Sequence, residues 1–308
     1  VVGGWCLIVG ISKQQTTNNK QHSSNNLVTK LKMNNLFRNS RRKLSQGLLF
    51  WREIGNGIPV VLLHGTWNDS SEWVAVMESL SSDFHCFAPD LFGFGESDYP
   101  NIHYSIDLQV ECLAEFLQAL KLERIYLVGH SLGAWIAASY ALKYPEQVYG
   151  LGLIAPEGIE TEEFDKNWQK LQGLMKRPLW IFKILRILNP LTKILGLDTQ
   201  VEQDWQQRQF MLQSPTGSDL LFLRQLPEIR AELLQEKLDF LTVPVLILQG
   251  GKDTPDALAK SNKYARLIPQ ANLKIIAHVG KNLPEMCAAI VARDIRDFIK
   301  GYDREISP

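Results

Sequence analysis

The residues Gly129-His130-Ser131-Leu132-Gly133 pair a hydroxyl nucleophile with two glycines, a spacing that suits acyl transfer. An apolar run, RIYLVGH at 124–130, ends at this motif, and an alanine-rich helical pattern, LGAWIAASYALKY at 132–144, begins from it. A strand-to-helix turn of this tightness leaves no room for side chains at the flanking glycines. It strains the serine backbone and raises the hydroxyl at the carboxyl end of a sheet. Upstream, LLHGTW at 62–67 places a glycine-permitted turn after another apolar run. The backbone N–H of Thr66, with that of Leu132, can there bind the oxyanion of a tetrahedral intermediate. Between the two lies PDLFGFGESD at 89–98, a D-x-x-G-x-G-x-S loop built on Asp90, Gly93, Gly95 and Ser97.

These turns need a rigid frame, and the flanking pattern describes one. Strands are expected at 47–54, 58–64, 84–90, 124–130, 148–155, 243–250 and 273–278, several as continuous apolar runs suited to burial on both faces. Helical spacing appears at 70–80, 104–120, 132–144, 256–268 and 285–300. The alternation predicts an α/β fold, a mostly parallel sheet wrapped by helices. Residues 156–240 break the rhythm, with no convincing strand, and are expected to form a helical insertion that acts as a lid or cap.

With H-G-x-x, D-x-x-G-x-G-x-S and G-x-S-x-G in this order and spacing, residues 47–300 resemble the α/β-hydrolases. The resemblance implies about eight strands, a cap inserted after the sixth, and a serine hydrolase or esterase whose nucleophile, acid and histidine follow one another in the chain. Ser131 is then the nucleophile. Asp253, in VLILQGGKDTPD, is the implied acid, with Glu157 the alternative and Asp256 a helix cap. The implied histidine falls in IIAHVGKNLPEM at 275–286, where Lys281 stands in its place. An ordinary lysine, with a reference pKa near 10.4, is protonated at neutrality and cannot take the serine proton. His278 is the histidine on this segment, and three residues of extended chain span at most about 10 Å. Three readings stay open: His278 as a displaced base, a lysine base, or a hydrolase fold without catalysis that binds a ligand or acts as a scaffold. A lyase or transferase using the same pocket is a further alternative.

Composition narrows the partners. The 308 residues carry 33 basic and 33 acidic side chains, but residues 1–52 hold nine basic and no acidic ones. The body is therefore net acidic and has no electrostatic reason to bind nucleic acid. Cys6, Cys86, Cys112 and Cys287 are scattered, which fits free thiols in a reducing, cytoplasmic compartment and no metal site. No cofactor is implied. Lys170 to Leu195 contains six basic residues and no acid among Leu, Ile, Trp and Phe. This suits a cap over a small apolar ester-like substrate, or peripheral contact with anionic lipid. A serine nucleophile, rather than aspartate, argues against an epoxide hydrolase or haloalkane dehalogenase. Residues 1–42 are expected to precede the domain proper, which is taken as 43–308. Residues 1–32 read as an extended or misassigned N-terminus, since the first methionine is Met33, or as an acid-free targeting arm. The polar stretch at 13–26 is expected to be disordered. The oligomeric state has no signature in the sequence.

Overall fold

The computed structural model describes residues 36–178, 180, 181, 184 and 198–306. Strands β1 (Arg38–Leu44), β2 (Gly47–Ile54), β3 (Ile58–Leu63), β4 (Phe84–Pro89), β5 (Ile125–His130), β6 (Val148–Ile154), β7 (Val245–Gly250) and β8 (Ala271–Ile276) form one sheet in the order β1-β2-β4-β3-β5-β6-β7-β8. The pairs β1–β2 and β2–β4 are antiparallel and the others parallel, so the expected α/β architecture holds. One strand was hidden from the sequence reading. RNSRRKL at 38–44 is too charged to read as a strand, yet it pairs along its whole length with β2 at the sheet edge, where charged side chains discourage further pairing. The sheet therefore starts at Arg38, and the expected boundary at residue 43 moves back to include it. Residues 1–35 and, from the basic stretch Lys170 to Leu195, residues 179, 182, 183 and 185–195 lie outside the described residues.

Alternation along β3 shows how the sheet divides its core. Val60 and Leu62 face a cluster with Trp73, Met77, Leu80, Ile295 and Ile299, whereas Val61 and Leu63 face one with Phe116, Leu127, Ile136 and Tyr264. All four β3 side chains are fully buried, and each contributes about 1.5–3 kcal/mol by leaving water. The first face is covered by α1 (Val74–Leu80) and α8 (Ala288–Ile306). The second is covered by α2 (Ile106–Ala119), α3 (Leu132–Lys143) and α7 (Pro255–Leu267). Ser105 caps α2 by accepting from the Leu108 amide. Between β6 and β7 lie α4 (Phe164–Lys176), α5 (Asp198–Met211) and α6 (Leu226–Glu232). Among the described residues, no helix is long and apolar enough to cross a membrane.

Helix α8 follows the His278–Lys281 segment and is anchored from behind. Asp83, in the turn after α1, accepts from Arg296 at 2.9 Å and from Lys300. The Lys300 hydrogen bond, against opposing burial and with help from Ser82 and Arg296, pulls the Asp83 carboxyl from 3.8 to about 2. A pKa depressed in the folded state stabilises above its unfolded value, and that stabilisation is lost as pH falls through the folded value. Asp83→Asn is therefore expected to lower the melting temperature at pH 7. The difference from wild type should close as pH falls from 3.8 towards about 2 in parallel melts.

Candidate active site

Ser131 sits between β5 and α3 with φ 51° and ψ −111°, a backbone region that L-residues rarely adopt. Its N–H donates to Ile154 O at 2.9 Å, and its carbonyl accepts from Ala134, Trp135 and Glu157. The flanking glycines are steric requirements. A Cβ on Gly129 would lie 2.2 Å from Gly133 O, and one on Gly133 would lie 2.3 Å from Leu63 O. Helix α3 can cross the ends of β5 and β3 only because both side chains are missing.

The turn after β3 reaches the same point. A Cβ on Gly65 would lie 3.0 Å from His130 Nδ1 and 3.6 Å from Ser131 Cβ. Thr66 is buried beside it. Among the described residues, neither the Thr66 nor the Leu132 amide donates to another part of the chain. The turn is tied down through His64, whose Nδ1 lies 2.8 Å from Gly65 O and whose Nε2 accepts from the Leu91 amide at 3.0 Å. The loop at 90–98 is equally fixed: Asp90 accepts from the Ser70 and Glu96 amides, and Ser97 Oγ donates to Asp90 O.

Glu72 escaped the sequence reading. It lies in the short helical turn Ser70–Trp73, where an acid reads as an ordinary helix start. In the structure its side chain is buried, accepts from the Gly65 amide at 2.9 Å, and lies in close contact with His130 Nδ1. Burial works to raise its pKa, but the His130 charge and hydrogen bond and the Gly65 amide outweigh it and hold the carboxyl below its ordinary range.

The two candidate acids differ in commitment. Asp253 is half-buried after β7, where Oδ1 accepts from the Thr254 amide at 2.7 Å and Oδ2 from Gln249 Nε2 at 3.3 Å. Glu157 is bound at 2.7 Å by buried Lys260, which also holds Asp256 at 2.8 Å. Burial opposes the Lys260 ammonium, yet the Glu157 and Asp256 carboxylates keep its pKa well above the ordinary lysine range. Asp256 is not the helix cap. Thr254 takes that role by accepting from the Ala257 amide, leaving Asp256 in the first turn, free to pair with Lys260 and Thr161.

His278 lies two residues beyond the end of β8, in a turn, and is exposed; Lys281 is exposed as well. Their loop packs on the one after β7, with Lys252 N–H donating to Val279 O at 2.9 Å and Gly280 beside Lys252 and Asp253. Among the described residues, no hydrogen bond joins His278 or Lys281 to Ser131 or Asp253. The structure thus gathers Ser131, Thr66 and Leu132, and brings the His278 loop to Asp253, but the imidazole is turned to solvent.

Three comparisons bear on this arrangement. The alpha/beta hydrolase fold family matches residues 58–285. The chain belongs to this family. The mouse (Mus musculus) protein 1-acylglycerol-3-phosphate O-acyltransferase ABHD5 is 35% identical over 155 residues, 49% of this chain and 42% of that protein. The 2-hydroxy-6-oxo-2,4-heptadienoate hydrolase of Pseudomonas putida is 38% identical over 123 residues, 38% of this chain and 45% of that protein. The matched segments span less than half of each of these relatives. Among solved structures, a putative lipase from Acinetobacter baumannii superposes with a TM-score of 0.69 at 22% identity, covering 91% of this chain and 97% of that one. An esterase from Thermogutta terrifontis gives 0.65 at 24%, covering 86% and 99%. At these identities the structural likeness speaks for the hydrolase fold.

Within this hydrolase fold, the insertion after β6 reaches the turn after β3. Trp67 and Phe210 of α5 have ring centroids 5.1 Å apart, and Trp67, like Phe222, packs against the cluster of Leu174 and Met211. Gly217, in the short turn Pro215–Ser218, approaches Thr66 so closely that a Cβ there would lie 2.6 Å from Thr66 Cγ2. A surface groove of about 850 Å³ lies elsewhere, between α2 and the β1–β2 turn, and is lined by none of the site residues. Gly133→Ala is expected to force α3 away from the Leu63 carbonyl and cost about 1–3 kcal/mol. A thermal melt should register this as a fall of roughly 2–4 °C per kcal/mol.

Proposed function

We propose that this protein is a serine hydrolase acting on ester-like bonds of a small apolar substrate, without a metal or cofactor. The carrying observation is the positive-φ Ser131 at the β5–α3 junction, beside the Thr66 and Leu132 amides, which donate to no other group among the described residues. Ser131 Oγ attacks the carbonyl carbon while His278 accepts its proton, and the two amides hold the oxyanion. Collapse expels the alcohol, which takes the proton from the imidazolium and leaves the acyl group on Ser131. Water then attacks the acyl carbon, losing a proton to the same imidazole, and collapse expels Ser131 Oγ, which takes that proton back from the imidazolium as the acid departs. Asp253 orients the base.

This sequence requires the loop at 277–282 to turn His278 inward. Its packing against Lys252 and Asp253 supports that assignment, because a small loop movement then brings imidazole and acid together. Trp67, Phe210 and Met211 near the turn after β3 support an apolar acyl group and a cap role for the insertion. The mouse relative's name, an acyltransferase of 1-acylglycerol-3-phosphate, supports carbonyl chemistry on acyl groups. Exposed Lys170, Lys176, Arg177 and Trp180 support a peripheral contact of the cap with anionic lipid.

A second reading, an impaired hydrolase fold that binds a ligand or acts as a scaffold, is favoured by one observation: both His278 and Lys281 face solvent. An organophosphonate probe and short p-nitrophenyl esters separate the two. Under the hydrolase reading, wild type is labelled at Ser131, Ser131→Ala is not, and His278→Ala loses about 10²–10⁴-fold in rate, the usual contribution of a general base. Full activity in His278→Ala would remove His278 as base. A silent wild type that gains Ser131-dependent activity on Lys281→His would establish the binding-protein reading.

A further inference from the structure

An oxyanion hole functions only if its two donors keep a fixed separation, and here they belong to different strands. Thr66 follows β3 and Leu132 follows β5. The strands pair up to Leu63 and Gly129, so the parallel ladder stops short of both donors. Beyond it, one buried group touches both segments. Glu72 Oε2 accepts from the amide of Gly65, the residue before Thr66. Glu72 Oε1 faces Nδ1 of His130, the residue before Ser131. The two oxygens of a carboxylate are held rigidly by its own plane, so the group acts as a two-pronged spacer.

Its surroundings keep that spacer in place. The Glu72 side chain is fully buried, and His130 is 6% exposed. The turn that carries Glu72 is itself pinned, with Asp69 accepting from the Ser71 amide and Asp90 from the Ser70 amide. Gly65 makes the contact sterically feasible, since a Cβ there would press on His130 Nδ1 at 3.0 Å. Neighbouring Trp73 is fully buried in the core under α1, which leaves the turn no freedom to rotate.

We propose that Glu72 is a positioning residue: through Gly65 and His130 it sets the distance between the Thr66 and Leu132 amides and holds Ser131 against them. This rests on the reading of Thr66 and Leu132 as oxyanion donors. Glutamine at this position keeps the shape, but its single acceptor oxygen cannot serve both partners unaltered. Asparagine at position 130 can still donate to the carboxylate, whereas alanine cannot.

The test compares wild type with Glu72→Gln, His130→Ala and His130→Asn by phosphonate labelling of Ser131 and by amide hydrogen exchange of peptides covering 62–67 and 128–133. Glu72→Gln and His130→Ala should each slow labelling by about 10²-fold, the order of loss that a displacement near 1 Å produces. Exchange should rise roughly tenfold in both peptides, as loss of one net hydrogen bond implies, while the rest of the chain keeps its protection. His130→Asn should regain most of what His130→Ala loses. Wild-type labelling and exchange in Glu72→Gln would overturn the proposal, as would exchange that rises evenly along the whole chain. If Glu72→Gln does not fold cooperatively, the two His130 variants decide, and equal loss in both overturns it. If wild type is not labelled at all, the hydrolase reading fails while exchange in the two peptides still decides the role of Glu72.

Discussion

The rest of the fold depends on holding one serine backbone where it would not go by itself. A non-glycine residue at φ 51° costs on the order of 1–3 kcal/mol and persists only where its surroundings over-determine it. Here they do. The Ser131 amide is bonded to the end of β6 and its carbonyl to three amides, two of them in α3. Helix α3 can take that path because Gly129 and Gly133 let it lie directly on β5 and β3. The same junction places the Leu132 amide at the first turn of a buried helix, where the unpaired N–H groups and the helix dipole favour negative charge.

The His278–Lys281 segment lies outside this rigid frame. Backbone hydrogen bonds from Gly251 to Ile276 and from Lys252 to Val279 bind the loops after β7 and β8 into one unit. Gly250 allows this closeness, since a Cβ there would strike Gly280 O at 2.2 Å. Asp253 and the His278–Lys281 segment therefore share a common support. What the support does not constrain is the side-chain direction of His278 and Lys281, both of which face water. Ser131 and the Thr66 and Leu132 amides are placed by the sheet, whereas His278 and Lys281 are placed by a short surface turn.

The insertion is joined to the frame at its start and again above the turn after β3. Lys260 of α7 holds Glu157, and Tyr264 donates to the Glu157 carbonyl, so the chain leaves β6 in a fixed direction. Farther on, the turn Pro215–Ser218 closes on Thr66 and Gly93 with almost no clearance. Bulk above the turn after β3 thus comes from backbone contact at small residues. It leaves Trp67 and Phe210 to define an apolar wall.

By itself, the sequence determined the architecture, the order of the three glycine motifs and the residues at the nucleophile turn. Those features are local: apolar periodicity, and glycines demanded by turns only a few residues long. It did not disclose β1, whose charged residues are strand-like only because β2 offers a partner edge. Nor did it reveal Glu72, separated by 58 positions from the His130 it meets, because nothing local distinguishes a buried acid from an exposed one at a helix start. Nor did it show that Lys260 engages Glu157 from more than a hundred residues away, while Asp253 is bonded within its own loop. Substituting Lys281 for the expected histidine is written in the chain. Only the tertiary structure decided that His278 lies on an exposed turn, because exposure depends on how the loops after β7 and β8 pack together, which no local pattern in the chain records.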